Sequence, residues 1–71
     1  MASPEEDLVE RVALRTAIGR LPERQRMLIL LRYYRGLTQD RTAKILGVSQ
    51  VQVSRLEKKA LQFLRQELRE D

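Results

Sequence analysis

Five side chains set close together, Gln50, Val51, Gln52, Ser54 and Arg55, have the chemistry to meet DNA. Glutamine can bond adenine in a bidentate way, arginine can do the same to guanine, and valine can touch a thymine methyl. Lys58 and Lys59 follow one turn later, placed for phosphate. These groups can act together only if they project from one side of a helix that is anchored from behind. Val53 and Leu56 stand at the spacing of such an anchor. The plainer alternative stays open at this point: Gln50, Lys58 and Lys59 as solvated surface, Gln52 as part of a helix cap, Val51 as a partner contact.

The surrounding residues describe how that helix would be held. Thr38 caps a short helix over 39–46, with Ala43, Ile45 and Leu46 as its apolar members. Gly47 supplies the positive φ of a tight turn. Ser49 caps a longer helix, and Gln52 three residues on completes a capping-box pattern. Val53, Leu56, Ala60, Leu64 and Leu68 step by three and four residues toward a core, broadened by Leu61 and Phe63, so the helix spans about 50–68. A short helix, a glycine turn and a longer helix over about 38–68 form a helix-turn-helix, whose second helix enters the major groove. Ala43 is small where two backbones must approach, and Val48 and Val53 are apolar where the helices pack. The start of the first of these helices, with the Thr38 hydroxyl and amide, could also hold a phosphate.

Two helices precede this unit. Ser3-Pro4-Glu5-Glu6 opens the first, with Glu6 in capping-box register with Ser3 and Leu8, Val12, Leu14 and Ile18 as its apolar stripe; Gly19 stops it. Pro22-Glu23 opens the second, which Gly36 ends. Met27, Leu28, Leu31 and Tyr34 line one side, and Ile29, Leu30 and Tyr33 widen it, which marks this helix as the most buried one. Strand alternation is absent, so the fold class is all-α: one compact four-helix domain over 1–71.

Composition narrows the function. The chain has 71 residues, no cysteine and no histidine. That removes disulfides, thiolate metal sites, the commonest metal ligand and the commonest general base, so neither a metal, a cofactor nor an enzyme is expected. Asp40 and Glu57 have no His, Cys or glycine-rich phosphate loop to work with. The longest apolar run, Met27 to Leu31, is far short of the roughly 20 residues a membrane helix needs. The N-terminus is acidic and unlike a signal peptide, which points to a cytoplasmic location; Met1-Ala2-Ser3 reads as a cloning remnant, and the chain as a piece of something longer. The net charge of +4 is uneven: residues 11–37 carry seven Arg and one Glu, whereas residues 1–10 carry four acids and no base. Such a basic middle suits phosphate.

Several runs resemble region 4 of the sigma-70 family: Leu21-Pro22-Glu23-Arg24-Gln25-Arg26, Leu31-Arg32-Tyr33-Tyr34, Leu37-Thr38-Gln39, Ala43-Lys44-Ile45-Leu46-Gly47-Val48-Ser49 and Val53 to Leu61. The resemblance covers roughly residues 10–68, and Gly47 to Lys59 looks most like the sporulation branch, the sigma-F and sigma-G types. It implies a helical bundle that reads the promoter −35 element through its last helix, within bacterial RNA polymerase holoenzyme. It puts Gln50, Val51, Gln52 and Arg55 at base-reading positions. Thr38, Ser54 and Lys59 fall at backbone-contacting positions, with Arg32 a weaker candidate. It also implies docking on the flap of the polymerase β subunit through an apolar surface of the earlier helices, which anti-sigma factors often cover. Arg41 departs from the family's common Glu; it forfeits a capping-box bond and sits at the positive end of a helix dipole, a cost it could recover on phosphate. The competing functions are a LuxR-type helix-turn-helix output domain and a basic protein-interaction module.

Overall fold

The computed structural model describes residues 4–69 of the chain, with side chains from residue 10 onward. Within that range the chain forms α1 (Pro4–Gly19), α2 (Glu23–Ile29), α3 (Gln39–Leu46) and α4 (Gln50–Glu67). A π-helical turn, Leu30–Tyr34, continues α2 without a break. The all-α reading and all four helices therefore stand. The expected Ser3 cap, its Glu6 partner and the Leu8 contact lie outside the residues whose side chains are described.

α4 is the central helix. It packs against α1, α2 and α3, and its buried side chains Val53, Ala60 and Leu64 join Ala17, Ile18, Leu21, Leu28, Ile29 and Ala43 in one core. Leu14, Leu46, Val48, Leu56, Leu61 and Phe63 close over its edges. Small residues at Ala17, Ala43 and Ala60 let the helices approach closely, and Val53 and Leu28 are fully buried between them.

The expectation that α2 would be the most buried helix is corrected. Only Leu28 and Ile29 are buried in it and its π extension, while Met27, Leu30, Tyr33 and Tyr34 are exposed. For Tyr33 and Tyr34 the cause is the change of helical period, whereas Met27 and Leu30 flank the narrow inner side that Leu28 and Ile29 present. The Leu30 N–H still donates to Arg26 O, but the Arg35 N–H reaches back five residues to Leu30 O at 3.0 Å, so side chains after Leu30 leave the 3.6-residue stripe. Val12, Ile45 and Leu68, each assigned to an apolar face, are exposed as well. Val12 lies mid-way along α1, before the buried Ala17 and Ile18, Leu68 follows the last residue of α4, and Ile45 lies on the outer side of a two-turn helix whose inner side is filled by Thr42, Ala43 and Leu46.

Candidate nucleic-acid interface

The turn between α3 and α4 is closed by backbone bonds. Gly47 adopts φ 71°, ψ 33°, and its N–H donates to Ala43 O. The Val48 N–H donates to the same carbonyl at 3.0 Å. This six-to-one closure satisfies the end of α3 and turns the chain toward α4 within two residues. Only a residue without Cβ adopts that φ at no steric cost.

Both helix starts are capped as the sequence indicates. Thr38 Oγ1 accepts the Arg41 N–H at 3.1 Å. Ser49 Oγ accepts the Gln52 N–H at 3.1 Å, and Gln52 Oε1 accepts the Ser49 N–H at 3.0 Å, a complete capping box. Gln52 thus spends its acceptor on the cap and keeps its amide nitrogen for any further contact.

The first turns of α4 are two-sided. Val53 is 0% exposed and Leu56 is half-buried, which fixes the inner side. Gln50, Gln52 and Arg55 are exposed, and Val51 is 60% exposed. Ser54 is half-buried beside them, and Lys58 and Lys59 are exposed a turn later. Thr38 and Arg41 are exposed at the start of α3, a helix length before the turn, and the capped start of α4 follows directly after it.

Arg32 has a different environment from these. Its Nε donates to Glu57 Oε1 at 2.9 Å and its Nη1 donates to Leu37 O at 2.8 Å. Tyr33 Oη donates to Glu57 Oε2 at 2.9 Å, and Gln39 Nε2 donates to Glu57 Oε1 at 3.2 Å. Glu57 is only 8% exposed. Burial alone would push its carboxyl up, but the bonds from Arg32, Tyr33 and Gln39, with the Arg32 charge, outweigh it and hold the group below its ordinary value. The bond to Glu57 raises the Tyr33 hydroxyl, and burial adds to the rise. In the sequence Glu57 stands as a lone carboxylate. One signal was available: a Glu one turn after the buried Val53, in register with the core face of α4.

A groove of about 600 Å³ opens on the side of α1, α2 and the π turn. Ile18, Met27, Leu30, Leu31 and Tyr34 line it, with Arg15, Arg26 and Arg35 also on its wall. Among the described residues, no group of three or more carboxylates could hold a metal ion, and no helix is long and apolar enough to cross a membrane.

A capped short helix, a left-handed glycine and a capped longer helix with a polar outer side define a helix-turn-helix domain. The sigma-70 region 4 model matches residues 17–66, and the chain belongs to that family. It is 49% identical over 61 residues to the RNA polymerase sigma-F factor of Bacillus subtilis, covering 86% of this chain and 24% of that protein. It is 43% identical over 53 residues to the sigma-G factor of the same organism, covering 75% of this chain and 20% of that protein. The sigma factor SigF of Mycobacterium tuberculosis is 40% identical over 63 residues, covering 89% and 24%. The chain spans about a quarter of the length of the sigma-F relatives it matches. The resemblance to the sigma-F and sigma-G branch stands with these relatives, and the LuxR-type alternative gives way to the family match.

Proposed function

We propose that this domain reads the −35 element of a bacterial promoter as part of RNA polymerase holoenzyme, without catalysing a reaction itself. The observation that carries the reading is the outward set of Gln50, Val51 and Arg55 on the first turns of α4, anchored from behind by the fully buried Val53. Placed in the major groove, Gln50 suits adenine, Arg55 suits guanine and Val51 suits a thymine methyl. Gln52 adds a donor through its amide nitrogen. Thr38, Arg41, Ser54, Lys58 and Lys59 face phosphates on either side and set orientation. Arg32 serves from within, through Glu57 and the Leu37 carbonyl. Relatives named as sigma factors support the same reading.

The apolar groove on the α1, α2 and π-turn side is assigned to the flap of the polymerase β subunit, a surface an anti-sigma factor would compete for. In this role the domain works in the cytoplasm, on the nucleoid. Alanine at Arg55 tests the reading. It should cost about 1–3 kcal/mol of discrimination at one base pair and leave folding intact, since Arg55 is exposed. Duplex selection by anisotropy and a pull-down with the isolated flap measure the two contacts. A chain that captures the flap yet shows no base preference, and loses none on alanine at Arg55, would instead be a protein-interaction module.

A further inference from the structure

We propose that Glu57 is a positioning residue for base reading: held by Arg32, Tyr33 and Gln39, it sets the rotation of α4 and hence where Gln50, Val51 and Arg55 meet the bases. The inference rests on the promoter-reading role above.

The apolar contacts of α4, with Leu56, Leu61, Phe63 and Leu64 among them, hold it to the core without a directional bond. Val53 and Ala60 are short, and apolar burial has no preferred direction. Hydrogen bonds do have one, weakening steeply off line. Glu57 lies on the same inner side, one turn after Val53 and three residues before Ala60. Both of its oxygens are used, Oε1 by Arg32 and Gln39 and Oε2 by Tyr33. The donors come from two other elements, the π turn and the first residue of α3. Arg32 also grips Leu37 O, immediately before the Thr38 cap. One carboxylate therefore references the base-facing helix to the phosphate-facing start of α3.

The tolerance is small. At the roughly 5–6 Å radius of a helix with its side chains, a rotation of about 10° carries a side-chain tip about 1 Å. A bidentate base contact fails with such a shift, because its distances lie within about 0.5 Å of one another. A buried ion pair is a poor source of net stability, and fixing register is its best-attested use.

The test compares affinity for the duplex that the wild-type chain selects from a random pool with affinity for a scrambled duplex. Tyr33→Phe removes one donor at the edge of the network, and the variant should fold. It should lower the specific-to-scrambled ratio about threefold. Glu57→Gln should lower it tenfold or more. Neither residue faces phosphate, so the salt slope should stay constant in both. Repeating the selection with Tyr33→Phe should relax the base pairs read by Gln50, Val51 and Arg55 together, whereas Arg55→Ala relaxes one. Thermal melts run alongside. An unchanged ratio and consensus in Tyr33→Phe, with only the melting temperature lowered, would overturn the proposal and leave Glu57 a stability element. A wild-type chain without any base preference would remove promoter reading itself, and this inference with it.

Discussion

Thr42 shows how a single group can be at odds with its surroundings. It is 0% exposed, and its hydroxyl has no hydrogen-bond partner. A buried hydroxyl left unpaired costs about 1–3 kcal/mol relative to one that is bonded. Thr42→Val keeps the branched shape and deletes the hydroxyl, so thermal unfolding should show equal or greater stability, by up to about 1 kcal/mol. A clear loss would mean that the hydroxyl is satisfied in solution. Glu57 makes the opposite case, a buried charge with every oxygen engaged. Its folded carboxyl titrates below the ordinary carboxylate value, because the bonds from Arg32, Tyr33 and Gln39 outweigh its burial. The stabilisation is therefore present above the ordinary carboxylate value and is lost as pH falls through the depressed folded value. Acid titration of stability should show a steeper loss in the wild type than in Glu57→Gln. Equal acid limbs in the two proteins would refute the assignment. The exposure of Gln50, Val51 and Arg55 was legible in the sequence because caps and apolar spacing fix the phase of α4. The Glu57 cluster was not, because its donors sit 18 to 25 residues away and meet it only in the folded chain.

The helices themselves follow local signals closely. α3 begins after Thr38 and ends at Gly47, and α4 begins after Ser49, as the capping residues dictate. What the sequence hides is the π turn, since a change of helical period leaves no mark in residue type. Gly47→Ala should cost about 1–2 kcal/mol by thermal unfolding, all of it backbone strain, because an added Cβ would meet nothing within 4 Å. A smaller loss would show that the turn can relax. At the start of α3, Arg41→Glu should act in opposite directions on two measurements. Stability should rise by a few tenths of a kcal/mol, since a carboxylate suits a helix N-terminus. DNA affinity should fall, and the salt slope should flatten by about one phosphate contact. An unchanged slope would remove Arg41 from the phosphate face.

At the scale of the whole molecule the ledger of forces is modest. A chain of this length buries only about 60% of the surface its unfolded form exposes. The Arg20–Glu67 ion pair at 2.8 Å joins the end of α1 to the end of α4, but Arg20 is well exposed and the pair adds at most about 1 kcal/mol. One α4 helix end offers few base contacts, so the domain alone should bind DNA weakly. Tethering it by a flexible linker to a second DNA-binding module should raise apparent affinity about 10²–10⁴-fold without a new contact. Fluorescence anisotropy on adjacent and separated sites measures this; no gain at the adjacent spacing would argue against modular reading. The basic middle and the bundle were visible from charge and periodicity. Which residues of α2 and its π extension stay outside the core was not, because Met27, Leu30 and Tyr34 read as members of one apolar stripe.

Leu30–Tyr34 holds about one residue more per turn than its neighbours, and the chain there can give one up. Deleting a single residue would let the coil tighten to ordinary pitch and keep α2 in phase with the rest, because the widened turn is an ordinary one with a residue added. Leu28 and Ile29 would still face the core, whereas the arginine and tyrosine that clasp the last helix lie inside the widened coil and would part company. A variant one residue shorter in that coil should keep the bundle and lose the grip on Glu57.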